Sequence, residues 1–257
     1  MIERYSRLMN LWRSRRQNLD DLASLESLDE TLTWTARHCL LGFNTSAIRL
    51  RILYSLAQLF RATEFVETGT YHGATAICAH NSLRIPVRSC EALLFNFLVA
   101  KLVTCGLSGI QITKARSELW LSGEVERLRQ SKSARPFFYL DAHPEADPAS
   151  WPVPEELSQI FQLETFLVAI DDFAVQGKVP GGRPDGPAKL EPNMIRPALL
   201  ATGIGEIFLP SYSVEMESGY ARTGFAVIFR SRELDGALRS GQFPFNLLEP
   251  CRMNGAG

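Results

Sequence analysis

From Glu64 onward, short apolar runs alternate with stretches whose apolar residues fall at helical spacing. That alternation is the mark of βαβ units and a parallel sheet. The runs place strands at Glu64–Glu67, Val87–Glu91, Ile110–Lys114, Phe137–Asp141 and Phe166–Asp171. Helices fall between them, from about Ala74, through Leu102, near Leu119–Gln130 and around Pro154–Leu163. Further on, Met194–Thr202 reads as a helix, and Ile207–Leu209 and Phe225–Arg230 read as an antiparallel strand pair at one sheet edge. Upstream, residues 1–60 read as helices. Asp20–Leu41 is polar and helix-prone, and Thr45–Phe60 carries the apolar stripe Ile48, Ile52, Leu56 and Phe60. The expected architecture is α/β and Rossmann-like, with helices on both faces of a mostly parallel sheet. An N-terminal helical cap spans 1–60 and the main domain spans 61–257.

In such sheets ligands sit beyond the carboxyl ends of the strands, where the strand order reverses. Four of these strands end on an acid: Glu67, Glu91, Asp141 and Asp171. The first strand leads into the turn of FVETGTYHGAT, Phe65–Thr75. Gly69 allows a tight turn there, and Gly73 lets the next helix approach the sheet. A dinucleotide-binding turn has a central glycine that admits a pyrophosphate to the backbone. Thr70 and Tyr71 crowd that space, which suits a cofactor without phosphates, such as S-adenosylmethionine. Glu91, 24 residues after Glu67, suits a carboxylate accepting both hydroxyls of a ribose.

Composition narrows the classes. The chain has 257 residues, 46% of them apolar, enough for one large α/β domain. A net charge of −1 gives no electrostatic footprint for nucleic acid. The cysteines at 39, 78, 90, 105 and 251 form no CxxC, so neither a disulfide framework nor a zinc site is expected. A reducing, cytoplasmic compartment is expected in turn. No apolar run reaches the length of a membrane span. The richest, Ala92–Val103, is interrupted by Asn96 and Lys101. Met1–Gln17 is rich in Arg, with Ile2, Tyr5, Leu8, Met9 and Trp12 at helical spacing. It fits an amphipathic helix packed on the domain or on a second copy in a homodimer, and it also has the composition of a transit peptide.

The segments ETGTYHGAT, FFYLDAH, PEEL and IDDF, in this order and spacing, resemble the class I methyltransferases. More narrowly they resemble the bacterial macrocin-type sugar O-methyltransferases and catechol O-methyltransferases, over about Phe65–Phe173 and more weakly to Arg230. The resemblance implies a seven-stranded sheet with one antiparallel edge strand and S-adenosylmethionine as cofactor. It assigns Glu67, Gly69, Thr70, Tyr71 and Gly73 to the turn around the cofactor's methionine part and Glu91 to the ribose. Ser117 takes the adenine contact, the loosest of these matches.

In the branch resembled, carboxylates at Asp141, Asp171 and Asp172 bind a divalent cation, usually Mg2+. Oxygen ligands suit a hard cation, and three converging carboxylates raise one another's pKa unless a cation lies between them. Successive strand residues point to opposite faces, so Asp171 and Asp172 share a metal only if the strand has turned at Asp172. Asp141 also lies within reach of the cofactor's amino group. His143 stands where related sugar methyltransferases have Asp. It reads as the general base for the acceptor hydroxyl, as a metal ligand or as a loop cap. His72 faces the substrate or the surface, and His38 and His80 read as structural.

Gly177–Pro192 is a Gly- and Pro-rich loop carrying Lys178, Arg183 and Lys189, read as a lid over an anionic substrate or as plain disorder. Trp151 stacks on a sugar ring or is buried, and Tyr212 and Tyr220 flank a second loop. The function expected is a metal-assisted S-adenosylmethionine-dependent O-methyltransferase acting on a glycosyl or other small hydroxylated molecule. Two alternatives stand beside it: a non-catalytic methyltransferase-like interaction module, and a metal-dependent nucleotide-sugar glycosyltransferase, since Asp141-Ala-His143 imitates a D-x-D motif.

Overall fold

Apolar residues on successive strands make a sheet that must be covered on both faces. The computed structural model describes residues 42–43, 46–143, 151–174, 190–212 and 224–253. Helix α1 (Ala47–Phe60) comes first, its amino end capped by the Ser46 hydroxyl, which accepts the Arg49 N–H at 3.2 Å. Then come β1 (Glu64–Thr68), α2 (Ala74–Leu83), β2 (Val87–Glu91), α3 (Leu94–Val103), β3 (Ile110–Lys114) and α4 (Ser117–Arg129). Next are β4 (Pro136–Leu140), α5 (Val153–Ile160), β5 (Phe166–Phe173), α6 (Pro192–Ala201), β6 (Glu206–Pro210) and β7 (Gly224–Arg230). A polar helix, α7 (Arg232–Arg239), and a 3-10 turn, Phe245–Leu247, lead to β8 (Leu248–Arg252).

The eight strands form one sheet in the order β3-β2-β1-β4-β5-β7-β6-β8. β1 pairs in parallel with both β2 and β4, so the order reverses between β1 and β4. β7 is antiparallel to β5 and to β6, and β8 is antiparallel to β6. The Rossmann-like class is as the sequence implies, with two refinements. The antiparallel β7 lies inside the sheet, between β5 and β6, and β8 adds an eighth strand as the edge.

Two apolar layers sandwich the sheet. On one face Val66, Phe138, Leu140, Val168 and Ile170 meet Leu121 and Val125 of α4, Leu157 and Ile160 of α5, and Ile195 and Leu199 of α6. On the other, Phe65, Phe137, Tyr139, Leu167 and Ala169 meet α1, α2 and α7. Residues 47–60 of the expected extension thus form a helix packed directly on the sheet, with Leu53, Leu56 and Phe60 at 1% exposure or less. Helix α3 buries little beyond Ala100, and Leu94, Phe95, Leu98 and Leu102 stay exposed. Expected elements within residues 1–41, the basic residues Lys178, Arg183 and Lys189, and Tyr220 lie outside the described residues. No helix among those described is long and apolar enough to cross a membrane.

Candidate active site

The reversal between β1 and β4 brings the carboxyl ends of β1, β2, β4 and β5 to one side of the sheet, the side on which such folds bind their ligands. Gly69 and Gly73 both have left-handed backbones, with φ of 79° and 87°. At Gly69 space is also short: a Cβ there would lie 2.7 Å from the carbonyl carbon of Asp141, and closer still to its oxygen. Only glycine satisfies both demands. The Asp141 N–H donates to the Thr68 carbonyl at 3.1 Å, completing the seam between β1 and β4.

The turn after β1 uses its own N–H groups. Those of Gly69 and Thr70 donate to the Cys90 carbonyl at 3.1 and 3.0 Å, and that of Gly73 to the Thr70 carbonyl at 2.9 Å. The Tyr71 N–H donates to Glu91 Oε2 at 2.8 Å, and the Leu93 N–H donates to Oε1 at 2.8 Å. Thr70 does not project into the cleft but is buried, with its hydroxyl 2.5 Å from that of Ser89 and 2.9 Å from the Cys90 carbonyl. Tyr71 adopts a left-handed φ of 49°, is exposed, and stacks on His72 at 3.8 Å between ring centroids. Glu67 is buried and accepts from the Ser89 hydroxyl at 2.6 Å. Burial pushes its carboxyl up to about 8; the Ser89 hydrogen bond opposes this, and the Glu91 carboxylate adds to it.

At the ends of β4 and β5 the structure sorts the acids. Asp141, His143 and Asp172 come together, with one ligand atom from each within 4.8 Å of the others. His143 Nε2 lies 3.6 Å from Asp141 Oδ1 and 3.4 Å from Asp172 Oδ2. Burial, and then the carboxylates of Asp171, Asp172 and Glu67, push Asp141 well above the usual carboxylate range, against the pull of Arg49. Asp172 has φ of 52°, and the β5–β7 register shifts between Ile170 and Phe173. This bulge aims Asp172 at the cleft while Asp171 keeps the direction of Leu167 and Ala169.

Asp171, expected as the third metal ligand, is therefore not brought into the group. It lies wholly buried against α1, paired with the Arg49 guanidinium. It also accepts the Tyr139 hydroxyl at 2.6 Å and the Asp172 N–H at 2.8 Å. Arg49 stacks over the Phe225 ring at 5.1 Å. Its place was readable: Arg49, Leu53, Leu56 and Phe60 share one helix face, so a charge on that face demands a buried partner. Ser117 opens α4 at 6% exposure. Trp151 is buried, with its ring 5.5 Å from that of His143. His80 packs at the end of α2, its Nδ1 3.2 Å from the Ile85 carbonyl.

No family model matches the chain, and no curated protein matches it in sequence. Solved structures do match in fold. The O-methyltransferase from Bacillus cereus in complex with SAH is 16% identical, over 88% of this chain and 98% of its own, with a TM-score of 0.49. The O-methyltransferase TomG from Streptomyces achromogenes, in complex with SAM, is 15% identical over 88% and 96%, with a TM-score of 0.47. The SAH-bound methyltransferase PaMTH1 from Podospora anserina is 13% identical over 90% and 96%, with a TM-score of 0.48. The likeness is one of overall fold.

Proposed function

We propose that this protein is an S-adenosylmethionine-dependent O-methyltransferase acting on a small hydroxylated acceptor, sugars included. One observation carries the cofactor: the Glu91 carboxylate, held by two backbone N–H groups, stands beside a turn whose N–H groups at 69, 70, 71 and 73 are already bonded within the protein. A phosphate-binding turn needs such groups free. A ribose needs only a fixed acceptor with spare lone pairs, and each Glu91 oxygen retains one. This arrangement suits the sulfonium cofactor better than a dinucleotide.

The acceptor side is the group Asp141, His143 and Asp172. The carboxylate oxygens of Asp141 and Asp172 suit a hard divalent cation such as Mg2+ or Mn2+. When bound, the cation would be held by Asp141 and Asp172 and would favour loss of the acceptor's proton. His143 takes that proton on Nε2, and the two flanking carboxylates orient the ring and offset the charge it gains. Buried Trp151 walls the group on one side. The remaining work is alignment of hydroxyl and methyl group.

Calorimetric titration with SAH tests the cofactor, and no heat of binding at millimolar ligand would sink the reading. With an acceptor in hand, His143→Asn lowers kcat about 10²- to 10⁴-fold and leaves SAH affinity unchanged. An equal loss of SAH affinity would instead make His143 part of the cofactor site. Removing divalent metal by chelation is expected to lower kcat, restored by Mg2+ or Mn2+.

A further inference from the structure

Asp171 takes no part in the reaction above, yet it is bonded to the backbone of a residue that does. Its Oδ1 accepts the Asp172 N–H at 2.8 Å. Asp172 has φ of 52°, a conformation uncommon outside glycine and kept only where the surroundings fix it. The bond to Oδ1 lies within the bulge where the β5–β7 register shifts, between Ile170 and Phe173. On its other side Asp172 presents Oδ2 to His143 Nε2 at 3.4 Å.

The Asp171 carboxylate is itself fixed from two other elements. Arg49 of α1 pairs with Oδ1, and the Tyr139 hydroxyl of β4 donates to Oδ2 at 2.6 Å. Both of these partners are braced in turn. Arg49 lies over the Phe225 ring of β7 at 5.1 Å, and the Phe43 ring meets that of Tyr139 edge-on at 5.0 Å. The side chains of Arg49 and Asp171 have no exposure, so each bond acts in a medium that screens it little.

We infer that Asp171 is a positioning residue for the group Asp141, His143 and Asp172: clamped by Arg49 and Tyr139, its carboxylate holds the left-handed backbone of Asp172 and so sets where the Asp172 carboxylate stands. Helix α1 thereby acts on the acceptor side without touching cation or acceptor. The inference rests on the reading of that group as a metal site. What the clamp requires at position 171 is an oxygen acceptor, not a charge. Asn meets that need, because its Oδ1 accepts the same N–H and its amide N–H donates to the Tyr139 hydroxyl.

Mn2+ titration, urea unfolding and hydrogen exchange of the Asp172 amide test this on the full chain, in wild type, D171N and the double variant R49M/D171L. D171N is expected to keep both Mn2+ affinity and protection of the Asp172 amide, whatever stability it loses through the charge left on Arg49. The double variant strands no charge but offers the Asp172 N–H no acceptor. It is expected to lose about 10- to 100-fold in Mn2+ affinity and about tenfold in protection of that amide. Net charge alone predicts the opposite order, since D171N adds a positive charge near the cation and the double variant adds none. A pair that merely stabilised the fold would move urea unfolding and leave Mn2+ affinity alone. Wild-type Mn2+ affinity in the double variant therefore overturns the inference, as does a loss in D171N as large as that in the double variant. Failure of the wild type to bind millimolar Mn2+ would instead strike the metal reading, and exchange of the Asp172 amide would still decide on Asp171.

Discussion

Gly69 meets the Asp141 carbonyl where the turn after β1 touches the group of Asp141, His143 and Asp172. Gly69→Ala imposes both a strained φ and a backbone overlap, each costing about 1–3 kcal/mol. The expected result is a clearly lower melting temperature and weaker SAH binding; a variant as stable as wild type would show that the seam has slack. Glu67 makes a pH prediction. Its folded pKa of about 8 exceeds the ordinary 4.5, so the folded state holds a proton that the unfolded chain releases. The stability this contributes is complete below pH 4.5 and is lost as pH rises toward 8, on the order of 5 kcal/mol in all. Glu67→Gln should therefore flatten the decline in melting temperature between pH 5 and 8. A parallel decline in the variant would rule out Glu67 as its cause. At this scale much was legible. Glu67, Gly69 and Glu91 could be placed because a strand followed by a glycine turn fixes which residues face the cleft. Thr70 was read as crowding the cleft, but its hydroxyl turns to Ser89, a partner on another strand that no local pattern reveals.

Elements decide where Asp171 points. Its partner Arg49 is 122 residues away on α1, and a pair so distant leaves no trace in the spacing of the IDDF segment. Breaking a buried ion pair from one side leaves an uncompensated charge, at about 3–5 kcal/mol. Arg49→Met is expected to cost that much in urea unfolding. Arg49→Met combined with Asp171→Leu should recover a good part, because no charge is then stranded. Additive losses would mean that the pair contributes little as a pair. Asp171→Asn should also leave Mn2+ affinity unchanged, whereas Asp172→Asn should lower it. Other elements were missed for compositional reasons. Helix α7, RELDGALR, buries only Leu234 and Ala237, too few for an apolar stripe. Strand β8, LEPCR, holds a proline and alternates only weakly, which a sheet edge tolerates. The strands β2 (VRSCE) and β3 (IQITK) came out at their observed bounds because each is a short stretch with an apolar residue at its start, set between helical stretches.

At the scale of the whole molecule, the α3 flank differs from the rest of the surface. Phe95 is 72% exposed and Leu98 55%, and the His72 ring, beside the cleft, lies 6.5 Å from Phe95. Because these side chains are already in water, Phe95→Glu with Leu98→Glu should change stability by no more than about 0.5 kcal/mol. The same pair should reduce binding of an apolar dye. A large loss of stability would show that this face is covered in solution.

The place of β7 between β5 and β6 also sets an order of events during synthesis. The strands β3-β2-β1-β4-β5 leave the ribosome first and can close around the cleft. Residues 206–210 emerge next but find their neighbours, β7 and β8, only after residues 224–252 have emerged in turn. Until then β5 presents an unpaired edge, the kind of surface on which nascent chains associate. A chain halted before residue 224 should therefore carry both halves of the cleft and yet be the form most prone to aggregate.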